Sequence, residues 1–299
     1  MILMKSALFL ILPVLIMVSC NRNEKSDAYG NFEASEVIVS SQSNGQIKYL
    51  NIEEGMQVNV GDTIAMTDTI DLSLKREQLV SQSKVILARL QNIDSQISVQ
   101  EQQKKNLLVD RERVGNLLKD GAATQKQMDD ISGNLDLISK QIRATAVQKE
   151  SVRAELGTLE AQVRQVEESM NKCFIVSPLS GTVLVKFAEA GEITTPGKPV
   201  CKVANLETLE LKVYISGDQL PYLRLGDNVD VMIDKDKSGF TNLTGRVSWI
   251  SPKAEFTPKT IQTKKERVNL VYAAKVLVPN DGSLKIGMPG EINFMPVTD

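Results

Sequence analysis

The chain has 299 residues, 42% hydrophobic and 24% charged, with a formal net charge of −2. That is ordinary water-soluble composition with room for two or three compact units, and it offers no electrostatic reason to bind nucleic acid. Histidine is absent, which removes the commonest general base and metal ligand at neutral pH and weighs against the usual enzyme classes.

Residues 1–19 have the make-up of an export signal: one positive charge at Lys5, an apolar run from Ala7 to Val18, then Ser19 before Cys20. The run is too short to cross a bilayer. Met17-Val18-Ser19-Cys20 resembles a bacterial lipobox, which implies that Cys20 is lipidated and becomes the mature N-terminus; the alternative is an ordinary cleaved signal with a cysteine there by chance. Residues 20–32 are polar at their start and are expected to be a tether, giving Cys20 no core to join.

Residues 33–70 hold glycines at Gly45, Gly55 and Gly61, with Ile47 and Ile64 as apolar positions. Beyond them, from Asp71 to Lys172, lies a polar segment with no proline and an apolar residue every seven positions. Leu72, Leu79, Ile86, Ile93, Leu107 and Val114 share one heptad position, interrupted by Gln100, and Leu90, Ile97 and Leu118 fall four residues on. This is a coiled-coil seam. A second seam runs through Met128, Leu135, Ile142, Leu156, Val163 and Met170, with Ile131, Ile138, Val152, Leu159 and Val166 three residues further along.

The two seams mirror each other about Gly121, as an antiparallel hairpin requires: Leu79 with Val163, Ile86 with Leu156, Leu107 with Leu135, Val114 with Met128. Gly121 can take the left-handed conformation that ends a helix, and Thr124 followed by Gln127 is a capping-box signature for the next one. The turn is therefore predicted within residues 119–124.

Residues 173–205 repeat the glycine spacing of the first segment at Gly181, Gly191 and Gly197, with Val183 and Val200 standing where Ile47 and Ile64 stand. The repeat predicts two interlocking halves of one small β domain with the hairpin inserted between them. Residues 206–299 are strand-like, alternating in Leu209-Glu210-Leu211-Lys212-Val213 and Val229-Asp230-Val231-Met232-Ile233 with glycine turns between, and predict a β-barrel.

Gln42 to Met66 and Pro178 to Val203 resemble the biotinyl/lipoyl carrier fold. Its modified lysine belongs in the turn joining the halves, which the coiled coil occupies here, so no attached cofactor is expected. The predicted fold class is α+β, elongated and multidomain: a long antiparallel α-helical hairpin in a split biotinyl/lipoyl-like β domain, followed by a β-barrel. This order, behind an export signal, is similar to the periplasmic adaptor family, also called membrane fusion or HlyD-like proteins. Ser251 to Thr263, then Glu266-Arg267 and Leu270-Val271-Tyr272, resembles the barrel of adaptors that accompany ABC-type exporters.

The resemblance implies a non-enzymatic adaptor in the periplasm; a lipid on Cys20 would hold it from the periplasmic face of the inner membrane, the placement expected, or from the inside face of the outer one. Its implied partners are an ABC-type inner-membrane transporter, a TolC-type outer-membrane channel and further copies of itself in a hexameric ring. It also implies that an Arg, a Leu four residues on and a Ser seven beyond touch the channel; Arg113, Leu117 and Thr124 stand at those spacings, with Thr for Ser. Blander roles are open to each: Thr124 as helix cap, Leu117 closing the last core layer, Arg113 paired with Asp110 or Glu112. Cys173 and Cys201 are expected as buried thiols without a disulfide, and Trp249 as a barrel core residue. The alternative functions are a structural coiled-coil scaffold lipoprotein or a carrier subunit of an enzyme complex.

Overall fold

The computed structural model describes residues 26–236, 239–256 and 270–294. The export segment, Cys20 and the 257–269 part of the exporter-type signature lie outside them. The chain divides into two units, Glu36–Asn205 and a second built from the residues up to Ser35 together with those from Leu206 onward.

In the first unit the halves interlock strand by strand. The leading half supplies β2 (Glu36–Ser40), β3 (Gly45–Leu50), β4 (Gln57–Val58) and β5 (Thr63–Thr67); the trailing half supplies β6 (Phe174–Val176), β7 (Gly181–Lys186), β8 (Ile193–Thr194) and β9 (Pro199–Ala204). One sheet runs β2-β9-β7-β4 and the other β6-β5-β3-β8, so each takes two strands from each half. Neither half can complete a sheet alone.

The sequence repeat becomes a repeat of hydrogen bonds. The Gly55 N–H donates to the Val183 carbonyl at 2.8 Å, and its counterpart, the Gly191 N–H, donates to Ile47 at 2.8 Å. Likewise Gly61 donates to Ser177 and Gly197 to Ser41. Ile47, Val183, Ile64 and Val200 are all essentially sealed from water, and burying four such side chains contributes on the order of 8 kcal/mol. Cys173 and Cys201 are buried free thiols, and burial pushes the Cys201 thiol up to about 11.

At one buried position the repeat leaves a polar group unsatisfied. Where the leading half has Val58, the trailing half has Thr194, whose buried hydroxyl has no hydrogen-bond partner. An orphaned buried hydroxyl is a net cost. Thr194→Val, nearly the same shape, is expected to raise stability by about 1 kcal/mol, read as a higher urea midpoint at unchanged slope.

The hairpin consists of α1 (Ile70–Lys119) and α2 (Gln125–Asn171). At 1.5 Å per residue each helix is about 70–75 Å long. Asp68 opens α1: its carboxylate accepts the Ile70 N–H at 2.9 Å and pairs with Lys48 at 3.2 Å. That backbone bond first, and Lys48 second, hold the Asp68 carboxyl below the usual carboxylate range. At the base the Thr67 N–H donates to the Cys173 carbonyl at 3.0 Å. Along the seam Leu79, Ile86, Ile93, Leu135, Ile138 and Val152 are buried. Cross-helix ion pairs Arg76–Glu167, Arg89–Glu155 and Asp94–Lys149 join residues almost equally far from Gly121, as the mirror register requires. Mid-rod the seam turns polar, with Thr145 buried and the Gln100 Oε1 unpartnered.

The second unit is a closed barrel. Its strands are β1 (Ala28–Glu33), β10 (Thr208–Ser216), β11 (Asn228–Asp236), β12 (Gly239–Ile250), β13 (Glu255–Phe256), β14 (Leu270–Pro279) and β15 (Pro289–Asn293). The order β10-β1-β15-β11-β12-β14 closes through a β10–β14 pairing, and β13 extends one margin of β14. On β10, Leu209, Leu211, Val213 and Ile215 all point inward and are fully buried.

Two expectations are corrected here. Residues 28–32, expected as tether, are most of β1, paired with both β10 and β15. Ala28 and Phe32 drive this by burying completely, and Gly30 permits it: a Cβ there would lie 1.8 Å from the Lys212 carbonyl oxygen. Trp249 is not in the core but 40% exposed. A bulge between Val247 and Trp249 shifts the β12 register, so Val247 points in and the alternation reverses beyond it.

Candidate functional site

The tip of the hairpin, opposite the Thr67–Cys173 base, is where Gly121, Arg113, Leu117 and Thr124 lie. Helix α1 ends in a complete Schellman turn. The Ala122 N–H donates to the Leu117 carbonyl at 2.8 Å and the Gly121 N–H to the Leu118 carbonyl at 3.2 Å. Gly121 sits at φ +70°, a conformation glycine adopts without steric cost. Three residues later α2 opens with a full capping box. The Thr124 Oγ1 accepts the Gln127 N–H at 3.3 Å, while the Gln127 Oε1 accepts the Thr124 N–H at 2.8 Å. Both helix ends are thereby satisfied by local residues, and the turn is held without outside help.

Arg113 and Leu117 are one turn apart on the same face of α1. The Arg113 side chain is 68% exposed, and its only ion pair in the described residues is with Asp110 at 3.3 Å. An exposed pair of this kind is worth at most about 1 kcal/mol, so the guanidinium can leave it for a better acceptor. Leu117 is 41% exposed while its neighbour Leu118 is half-buried; the last core layer is closed by Leu118, leaving Leu117 facing water. Thr124 is different. Its hydroxyl also donates to Gln127 Oε1 at 3.1 Å, so it is spent on the cap and presents chiefly its methyl group.

Gly115 is not among the residues singled out above; it lies under Met128, whose Cε would stand 3.2 Å from a Cβ placed there. Its signal was an isolated glycine inside a helical repeat. Among the described residues no group of three or more Cys, Asp or Glu could hold a metal ion, and no helix is long and apolar enough to cross a membrane. At the tip, the exposed Arg113 and Leu117 offer a surface for contact.

Residues 35–205 match the family described as RND MFP, barrel-sandwich hybrid domain. A UPF0194 membrane protein of Acidithiobacillus ferridurans is 26% identical, over 91% of this chain and 87% of its own length. Another from Yersinia enterocolitica is 24% identical, over 89% of this chain and 88% of its own. Among solved structures, MacA from Actinobacillus actinomycetemcomitans is 21% identical with a TM-score of 0.56, over 89% of this chain and 76% of that one. A membrane fusion protein from Streptococcus pneumoniae is 16% identical with a TM-score of 0.51, over 90% of this chain and 98% of that one. At these identities the two structures share a fold with this chain and no more.

Proposed function

The chain belongs to the RND membrane fusion protein family, whose barrel-sandwich hybrid domain spans more than half of it, and on that premise we propose that it is the periplasmic adaptor of a tripartite efflux or secretion system. It bridges an inner-membrane transporter to a TolC-type outer-membrane channel, lipid-anchored through Cys20 on the periplasmic face of the inner membrane and assembled with copies of itself into a ring. Its work is structural and conformational, not catalytic.

The observation that carries this reading is the hairpin tip. A rigid turn capped at both helix ends leaves Arg113 and Leu117 exposed on adjacent turns. A guanidinium offers a fork of donors to carbonyls or carboxylates on a partner, and a leucine beside it supplies apolar contact. The Thr124 hydroxyl is committed to the cap, so its contribution to the contact is to hold the turn in register. A purely structural scaffold has no use for an exposed leucine at its far end.

For the transporter we propose an ABC-type exporter. The support is the resemblance across Ser251–Tyr272, in the barrel unit. The RND description attaches to residues 35–205, which end before that barrel, so it does not speak for this segment. Purification of the tagged full-length chain from solubilised membranes, with identification of what accompanies it, tests the assignment. An ABC-type transporter is expected; an RND transporter instead would overturn the ABC part, and no transporter at all would overturn the bridge.

A further inference from the structure

The barrel unit has one turn that displays apolar side chains to water and is held firmly in doing so. It joins β10 to β11, and its middle is Leu220-Pro221-Tyr222-Leu223-Arg224-Leu225. Leu223 is buried in the barrel core and half-buried Leu220 packs against it. Tyr222 and Leu225 face water instead, 56% and 69% exposed. The backbone fixes them there. The Tyr222 N–H donates to the Gln219 carbonyl at 3.0 Å, and the Arg224 N–H to the Asp227 carboxylate at 2.8 Å. Gly226, at φ +93°, donates to the Val247 carbonyl at 2.9 Å, and Val247 donates back to Asp227 at 2.9 Å. A turn tied down at both ends has no route by which to fold its leucine away.

An exposed leucine means little by itself; what gives these two side chains a direction is the start of β1. The Gln219 Nε2 donates to the Asp27 carbonyl at 2.7 Å, while its Oε1 accepts the Ser216 N–H and the Ser216 hydroxyl, each at 2.9 Å. Asp27 is fixed in turn. Its N–H donates to the Ile292 carbonyl at 3.1 Å, and its carboxylate accepts the Phe294 N–H at 2.8 Å. One glutamine thus clamps the exposed turn to the point where the chain enters the barrel. Cys20 precedes Ser26 by six residues, a link that spans at most about 22 Å when fully extended. A lipid on Cys20 therefore keeps this end of the barrel within a short reach of the bilayer surface, with Tyr222 and Leu225 displayed on it. Arg224 lies between them, and Arg246 sits beside the turn, its Nε donating to the Gly226 carbonyl at 3.3 Å. Both are exposed, and neither forms an ion pair among the described residues.

We propose that this turn is a membrane-contact surface: the Tyr222 ring and the Leu225 side chain sit at the boundary of headgroups and acyl chains, in the bilayer that carries the Cys20 lipid, with the Arg224 guanidinium at the level of the phosphates. A leucine supplies apolar burial, a tyrosine has an apolar ring with a polar tip, and an arginine carries its charge on a long stem. That combination suits a boundary that is wet on one side. Two side chains are too few for a specific protein interface of about 800 Å² on each partner. They suffice at a bilayer already brought close, because a tether turns the contact into an intramolecular one at high effective concentration. Burying Leu225 alone then shifts the occupancy of the contact by about tenfold. The contact rests on the Cys20-anchored reading above, and it holds the barrel end against the membrane where the tether alone would let it swing.

The test uses the full-length chain purified from membranes with its N-terminus as processed, reconstituted without any transporter on vesicles of phosphatidylethanolamine and phosphatidylglycerol. An environment-sensitive fluorophore is attached at Tyr222→Cys, at Leu225→Cys or, as control, at Ile286→Cys. Ile286 is exposed at the opposite end of the barrel, beside Gly287, whose N–H donates to the Phe32 carbonyl at 2.7 Å. Cys173 and Cys201 are buried and stay unlabelled. All three labelled positions are exposed, so the variants should fold, and circular dichroism checks that they do. The labels at Tyr222→Cys and Leu225→Cys are expected to shift to the blue and to be quenched by lipids carrying a nitroxide, while the label at Ile286→Cys stays in water. Adding Leu225→Asp is expected to abolish the shift at Tyr222→Cys. Labels at Leu225→Cys and Ile286→Cys that behave alike on vesicle-bound chain overturn the contact. So does a shift that appears only when the co-purified transporter is added, since the turn would then face a protein. Mass spectrometry of the N-terminal peptide separates the contact from the reading beneath it. Lipid on Cys20 with the turn in water sinks the contact alone; a quenched turn with no lipid on Cys20 sinks the anchored reading alone.

Discussion

Export is expected to fail when Leu117 or Arg113 is replaced by aspartate, with the protein still folded and at the membrane. A carboxylate at Leu117 must be desolvated against whatever apolar surface the leucine met, and at Arg113 it reverses the charge offered to the partner. Loss of one central contact of this kind costs about 2 to 4 kcal/mol of partner affinity, roughly a 30- to 900-fold fall in the bound fraction at low occupancy. Both side chains are exposed and neither closes a core layer, so helix content and membrane recovery should equal those of the parent chain. Normal export from these variants would remove the tip from the account, since no other role of either residue depends on an outer-membrane partner.

The second large effect is expected from Gly181→Ala. In the split domain β7 starts at Gly181 and passes so close to the end of β9 that a Cβ would lie 2.3 Å from the Ala204 carbonyl oxygen and 2.7 Å from its carbon. Both are backbone atoms in a paired strand, so the clash cannot be relieved by a rotamer change. The loss should reach about 3 kcal/mol, a large share of the 5–15 kcal/mol that holds a typical domain. Gly191→Ala is the control: it takes the left-handed conformation at φ +95° but a Cβ there meets nothing within 4 Å, so its cost should stay near 1 kcal/mol. Because both long helices belong to the same unit as Gly181, the helical circular dichroism signal follows this unfolding directly. Equal melting of the two variants would show that the strands can separate where the structure packs them.

The hairpin and the interlocked halves were legible because both are written as repeats. A seven-residue apolar period over a hundred proline-free residues has few structural solutions, and its mirror about Gly121 located the turn. The glycine spacing of the two halves encodes the hydrogen bonds from Gly55, Gly61, Gly191 and Gly197 that cross between them. What escaped was decided by tertiary context. Ala28–Glu33 carries Gly30 and Asn31 at its centre, residues that disfavour a strand, and only the gap between β10 and β15 makes it one. Trp249 obeyed alternation until a bulge that no local signal announces turned it outward. At the tip, the spacing of Arg113, Leu117 and Thr124 was readable, but which of them remained free was not. That division depends on hydrogen bonds, and these commit the Thr124 hydroxyl to Gln127 and leave Arg113 with one weak pair.

The most direct measurement is a photoactivatable cross-linker placed at Ala122, an exposed position in the turn itself, and activated in intact cells. The account predicts a product joining this chain to an outer-membrane channel, strongly reduced when Arg113→Asp is added. Products containing only further copies of this chain, or only soluble or inner-membrane proteins, would contradict it.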